Sequence, residues 1–253
     1  MVTVIIPIHE INNESLELLK SAVFSVPDEV KDIIVATGED GDWSGSLGRE
    51  VKVVVNEKTD FASLVNAAVE QVETKWFSIL EYDDTYTPTW YGNVVDYAEW
   101  KPEATMFMVF QDISNFEDKK YINIGNVEVW ASSFSNDVGK LDNDCLQNYF
   151  DFYLTGSLIS TDDYKEIGGL KPSIKITFWY EWLLRATSKS KDIYVIPKVC
   201  YNHYLGRKGS LVDMYRNGMD DKEREWWFEL AKRECFYKDD RNKTYEPEAS
   251  EES

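Results

Sequence analysis

The densest chemistry in this chain is Glu81-Tyr82-Asp83-Asp84, which directly follows the apolar run Trp76-Phe77-Ser78-Ile79-Leu80. Carboxylates spaced in this way after a buried strand face one crevice, where they repel each other and are relieved by a divalent cation. Oxygen ligands suit Mg2+ or Mn2+. Such an ion clamps a diphosphate and neutralises charge on a leaving group. The competing reading is a solvated acidic turn; the strand before it and Tyr86-Thr87-Pro88 after it weigh against that. No dinucleotide fingerprint G-x-G-x-x-G, P-loop, G-x-S-x-G or H-E-x-x-H occurs.

The elements that must position this run alternate regularly. Val2 to Ile8 reads as a buried β-branched strand, followed by a helix capped by Asn13 and Ser15 with Leu16, Leu19, Ala22 and Val23 inward. Asp32 to Ala36 and Val51 to Val55 read as strands, separated by a loop from Thr37 to Gly48. Phe61 to Val72 has helical spacing, and Trp76 to Leu80 is the fourth strand. This order predicts an α/β fold with a mixed, mostly parallel central sheet flanked by helices. Ligands bind outside the carboxyl ends of such strands. Those ends carry His9-Glu10, Thr37-Gly38-Glu39-Asp40, Asn56-Glu57 and the acidic run, so functional groups converge on one edge.

Downstream, Thr89 to Glu99 reads as a helix, Met106 to Phe110 and Gly125 to Trp130 as strands, and Phe150 to Ser160 as strand-like up to the break at Gly168-Gly169. Tyr180 to Thr187 reads as a helix, Ile193 to Ile196 and Val199 to His203 as strands, and Asp220 to Phe236 as a charged amphipathic helix. The pattern predicts one domain over 1–237, made of two halves, 1–100 and 101–237, then an acidic mobile tail over 238–253.

Composition narrows the partners. A formal charge of −19 and a pI near 4.5 argue against general nucleic-acid binding and against docking on anionic lipid. The three cysteines, Cys145, Cys200 and Cys235, lie far apart without a C-x-x-C pair, so neither a zinc knuckle nor a disulfide framework is indicated. With no apolar run long enough to span a bilayer and no leader, integral membrane association is not expected and a reducing, cytoplasmic setting is. Nine Trp, fifteen Tyr and twelve Phe supply either a ring-stacking surface or an aromatic core, and the core is the fate expected of most of them.

The ordered set VTVIIPI, DIIV, the helix carrying Asn66, and WFSILEYDDTYTPTWY resembles the inverting family 2 glycosyltransferases of the GT-A fold. Leu80-Glu81-Tyr82-Asp83-Asp84 with Pro88 matches that family's L-D-x-D-D-x-x-x-P element, with Glu for the first Asp. The resemblance implies a donor that is a nucleoside-diphosphate sugar, UDP-linked by default, bound by the half over 1–100, with the acceptor on the half over 101–237, and an Mn2+ or Mg2+ ion. It further implies Asp83 as principal metal ligand, Glu81 beside the ribose and metal, and Pro7, His9, Glu10, Thr37, Glu39 and Asn66 around the donor. Where the family has V-D-D-G-S, this chain has Val35-Ala36-Thr37-Gly38-Glu39-Asp40, which puts the base-recognising residue in doubt. Gly156-Ser157 with Gly168-Gly169-Leu170 resembles the acceptor-side element.

Phe178 to Arg185 resembles the E-D-x-E-x-x-L-R segment that supplies the catalytic base, but the base position falls on Trp179, which cannot accept a proton. Glu181 is the nearest carboxylate and the candidate base; its alternative is a helix-surface residue without catalytic duty. Tyr201 to Ser210 resembles the closing Y-x-x-R-x-x-x-S stretch, which implies His203 as a further metal ligand and Arg207 as a forked contact to the diphosphate. The acceptor stays open among glycan, lipid-linked glycan, protein and modified nucleic acid, and the short form with altered motifs would suit a viral enzyme. Two other readings stand beside this one: a non-catalytic binding or structural module of the same fold, and a sugar-nucleotide nucleotidyltransferase.

Overall fold

A computed structural model describes residues 2–41, 43–132, 138–148, 152–210, 220–223 and 225–229. In its first third, β1 (Val2–Pro7) is buried at every position, as befits a strand covered on both faces. Helix α1 (Asn13–Ser25) is capped one residue earlier than expected, by Asn12. Asn12 Oδ1 accepts from the Ser15 N–H at 2.9 Å while Ser15 Oγ accepts from the Asn12 N–H at 2.8 Å, a reciprocal box that satisfies two orphan donors. Then follow β2 (Asp32–Thr37), the short α2 (Ser44–Leu47), β3 (Lys52–Val55), α3 (Phe61–Val69) capped by Asp60, and β4 (Trp76–Ile79). β1 pairs in parallel with β2 and β4, and β2 with β3.

The remainder contains β5 (Thr85–Tyr86), α4 (Trp90–Trp100), β6 (Met106–Asn115), β7 (Tyr121–Gly125), α5 (Val127–Ser132), β8 (Gly139–Leu141), α6 (Asn143–Asn148), β9 (Leu158–Ser160), α7 (Thr161–Ile167), α8 (Phe178–Ser188) and β10 (Ile193–Leu205). The sheet runs β3-β2-β1-β4-β9-β6-β10-β5, with β7 added on β6 and β8 on β10. β6 and β10 are parallel, whereas β9 lies antiparallel between β4 and β6. Because β9 runs backwards, the segment leading into it arrives at the carboxyl edge of β4, where the Gly156 N–H donates to Ile79 O at 2.8 Å.

Several expectations change in detail. The strand expected over Gly125–Trp130 ends at Gly125, because Asn126 takes the left-handed conformation (φ 68°) and α5 starts behind it. Within the expected strand of 150–160 only Leu158–Ser160 is extended, and residues 149–151 lie outside the described set. The two late strands are one, β10, with register shifts on either side of Val199 that accommodate Pro197. Of the charged C-terminal helix, residues 221–223 and 225–229 are helical, with Trp227 packed on Ile174; the rest of it and the tail over 238–253 lie outside the described residues.

One core lies on each face of the sheet. On one, α3 and α8 pack Leu64, Ala68, Trp182 and Leu183 onto Ile5, Phe77 and Met106. On the other, α1 and α4 pack Leu19, Val23, Trp90 and Val94 onto Val4, Ile6 and Val109. Each fully buried large apolar side chain contributes about 1.5–3 kcal/mol, which keeps the strand ends fixed enough to hold charged groups together. No helix among the described residues is long and apolar enough to cross a membrane.

Candidate functional site

The acidic run sits where β4 leaves the sheet. Leu80 N–H still donates to Ile5 O at 2.9 Å, Glu81 N–H donates to the Tyr201 hydroxyl at 3.0 Å, and Asp84 N–H closes a turn onto Glu81 O at 3.1 Å. The chain is then caught by β10: Tyr86 and Thr85 pair antiparallel with Tyr201 and Asn202, and Asn202 Nδ2 donates to Thr85 Oγ1 at 3.0 Å. Tyr86 stacks on Trp90 at 3.9 Å between centroids and donates its hydroxyl to Ser78 Oγ at 2.8 Å. The turn is therefore bolted to a strand more than a hundred residues downstream.

That pairing brings β10 side chains onto the carboxylates. Asp84, 1% exposed, bonds His203 Nδ1 through one oxygen at 2.7 Å and accepts from the Tyr204 N–H through the other at 2.8 Å. Ligand-capable atoms of Glu81, Asp84 and His203 all lie within 4.8 Å of one another. Asp83 is committed elsewhere: its Oδ2 accepts from Arg207 Nε at 2.6 Å, while the same guanidinium donates to the Tyr82 hydroxyl and lies 4.9 Å from the Tyr82 ring centre. His9 completes this side, its ring 5.8 Å from that of Tyr82.

Crowding sets the protonation. Burial, then the like charges of Asp84 and Asp83, push Glu81 up to about 8, against the pull of His203 and Arg207; part of the residue surface remains open to solvent, yet its carboxyl is hemmed in. Burial alone would depress the His203 imidazolium, but the charge and hydrogen bond of Asp84, with Glu81 and Asp83 behind it, raise it to about 9. Asp83 is raised by burial and by Asp84 despite Arg207. Glu81 and His203 thus hold protons above their ordinary ranges, and a divalent cation bound there would displace them.

The other expected site residues separate into groups. Pro7 ends β1 and Thr37 ends β2, both buried at the carboxyl edge, while Glu10 and Glu39 are exposed beside them. Asn66 is structural: its amide donates to Leu170 O at 2.8 Å, and its oxygen accepts from Leu170 N–H at 3.0 Å and from the Tyr164 hydroxyl at 2.7 Å. These bonds tie α3 to the Gly168-Gly169-Leu170 turn.

Glu181 does not fit the role of base. It is 0% exposed, and Arg185 grips both its oxygens (Nε at 2.7 Å, Nη2 at 2.8 Å) with Lys171 Nζ at 2.8 Å. Arg185 also donates to Ile167 O at 2.7 Å and Gly169 O at 2.5 Å. The carboxylate is thus the anchor of the glycine turn, buried and with three of its four lone-pair sites engaged. Of the aromatic residues over 178–182, Tyr180 and Trp182 are core, whereas Phe178 and Trp179 stay partly exposed beside Phe61. Sequence reasoning missed Asp84 as the partner of His203 and Tyr201 as the prop beneath Glu81. The second Asp of the pair was the signal for the first, and the Tyr that opens the 201–210 stretch the signal for the other.

Comparison with known proteins agrees with this architecture. Solved structures that share the fold include S. aureus TarS 1-349 in complex with UDP-GlcNAc (12% identity, TM-score 0.63, covering 92% of this chain and 72% of that one), the same fragment in complex with UDP (14%, 0.60, 92% and 66%), and S. aureus TarS (12%, 0.59, 92% and 43%). The chain thus spans less than half of the last of these. No curated protein sequence matches it. Residues 3–168 match the profile of glycosyl transferase family 2, which is more than half of the chain. A match of that extent, on a layered sheet that gathers its carboxylates at one edge, means that the chain belongs to glycosyl transferase family 2 and is a glycosyltransferase.

Proposed function

We propose that the chain transfers a sugar from a nucleoside-diphosphate donor, UDP-linked, to an acceptor hydroxyl with inversion at the anomeric carbon, and that a divalent cation, Mn2+ or Mg2+, assists. The observation that carries the reading is the grouping of Glu81, Asp84 and His203 at the carboxyl edge of the sheet. Two carboxylate oxygens and an imidazole nitrogen are a donor set that Mn2+ accepts readily and Mg2+ tolerates. When bound, the ion supplies positive charge against the diphosphate of the departing nucleotide. The UDP-GlcNAc and UDP named for the similar TarS structures support a uridine donor.

The chain's own residues do the rest. Arg207, largely buried and held by Asp83, presents a guanidinium beside the cluster, and a planar fork suits phosphate oxygens. In this reading the donor's negative charge competes with Asp83 for Arg207. Tyr201 holds the Glu81 backbone so that the turn does not reorganise as charge moves. Proton removal from the acceptor falls outside Glu181, whose oxygens are already engaged, and outside Trp179. The acceptor is a hydroxyl-bearing molecule of a class left open.

A thermal-shift screen of nucleoside diphosphates and their sugars, with and without Mn2+, tests the donor and metal together, followed by product analysis with a sugar acceptor panel. A stabilisation by UDP that requires the ion is the expected result. Binding without any transfer or donor hydrolysis would convert the reading to a non-catalytic module.

A further inference from the structure

Asp84 grips His203 through one nitrogen only. A single hydrogen bond at Nδ1 places that atom and constrains the plane of the ring less tightly. The second constraint comes from Tyr153, whose ring lies 5.5 Å from that of His203 at 57°, within the spacing of attractive aromatic pairs. The Tyr153 ring is slotted over Gly125: a Cβ there would come within 3.0 Å of Tyr153 Cδ2 and 3.1 Å of Ile113 Cδ1. Ile113 is itself the register partner of His203 across the β6–β10 pair.

What puts Tyr153 in that slot is Asn126. Its side chain is 1% exposed and all three of its bonds go to backbone: the Tyr153 N–H donates to its Oδ1 at 3.1 Å, and its Nδ2 donates to Tyr153 O and to Val109 O, both at 2.8 Å. The residue adopts φ 68° to do so, a conformation that Asn tolerates better than most side chains. The far end of the same loop is held independently. Gln111 Nε2 donates to Thr155 O at 2.6 Å, and Trp90 Nε1 donates to Gly156 O at 2.7 Å. Asn126 is thus the fastening at the Tyr153 end.

We propose that Asn126 is a positioning residue of the glycosyl-transfer site, pinning both backbone polar groups of Tyr153 so that its ring fixes the plane of His203. The inference rests on His203 belonging to the site described above. Only two histidines are present, so the ring-proton resonances of His203 are resolved from those of His9 by NMR, with no turnover needed. Asn126→Gly keeps the left-handed backbone unstrained and removes only the fastening. Tyr153→Ala removes the ring, and Tyr153→Phe keeps it.

Asn126→Gly and Tyr153→Ala are expected to move the His203 resonances and leave those of His9 in place. Both weaken Mn2+ binding and lower kcat/KM for the donor by on the order of 10- to 100-fold, as loss of a ligand's orienting contacts does; Tyr153→Phe restores both readouts. If Asn126→Gly lowers the melting temperature while the His203 resonances stay at their wild-type positions, Asn126 is a structural residue and the inference is overturned. It is equally overturned if Tyr153→Ala leaves them unmoved. A wild-type protein that transfers no sugar is detected separately in the transfer assay, and the resonances then still decide the geometry.

Discussion

Asp84 and His203, 119 positions apart in the chain, share a 2.7 Å hydrogen bond, while the adjacent Asp83 spends its Oδ2 on Arg207. Neighbouring carboxylates therefore have different partners: one joins an imidazole and Glu81 in a potential cation site, the other holds a cation of the protein's own.

This division gives opposite expectations for two neighbouring substitutions. Asp84→Asn should weaken Mn2+ binding by about 100-fold or more, on the order of a lost charged ligand plus the disturbed orientation of His203, as read by isothermal calorimetry. Asp83→Asn should retain cation binding and instead loosen Arg207. The reverse pattern would return the ion to Asp83, where the family resemblance puts it.

The protonation of the cluster fixes the sign of its pH dependence. His203 is raised to about 9 and Glu81 to about 8, so the folded protein holds protons that the unfolded chain gives up. Their contribution to stability is full below the unfolded pKa of each group and is lost as pH rises through the folded values. The metal-free melting temperature should fall from about pH 4.5, where unfolded Glu81 begins to release its proton, to about pH 9, where folded His203 releases its own. Mn2+ affinity should rise over the same interval, because binding displaces those protons. A melting curve flat across this window would contradict the protonated state assigned to the pair.

Removing the buried carboxylate of Glu181 should cost stability before it costs chemistry. Glu181→Ala leaves Arg185 without its bidentate partner, and breaking a buried pair in this way typically costs about 3–5 kcal/mol. Chemical denaturation should record that loss, with transfer surviving at temperatures where the variant stays folded. A fully stable variant whose kcat falls by orders of magnitude would reinstate Glu181 as the base.

Gly156 is predicted to accept no side chain. It sits at φ 77°, and a Cβ would lie 2.5 Å from Tyr201 Cδ2. Gly156→Ala combines left-handed strain with displacement of the ring whose hydroxyl receives the Glu81 N–H. A destabilisation of about 1–3 kcal/mol or more should appear in the melting temperature together with weakened donor binding.

How much of the molecule is legible in its sequence depends on the range of the interactions. The first four strands and two helices follow from periodicity, since burial on both faces writes itself into runs such as VTVIIP and DIIVA. The edge they share follows from parallel pairing. Resemblance draws attention to His203 and Arg207, but the partner of each is invisible, because which carboxylate meets which cation depends on the register of β5 against β10. Glu181 misleads for a related reason: four-residue helical spacing to Arg185 is in plain view, yet its complete burial is not. Asn126 carries no periodic signal, since a left-handed residue between a strand and a helix breaks both patterns at once.

The order in which the chain is made bears on the pairing of β5 with β10. During synthesis the three acids of the 81–84 turn leave the ribosome more than a hundred residues ahead of His203 and Arg207. Until that late segment arrives, the nascent turn carries mutual repulsion with no counter-charge, so it stays hydrated and open. Closure of the site is therefore a terminal event of folding, dependent on a long-range contact of the kind that forms slowly. A chain cut back to the family-matched stretch 3–168 would never reach it.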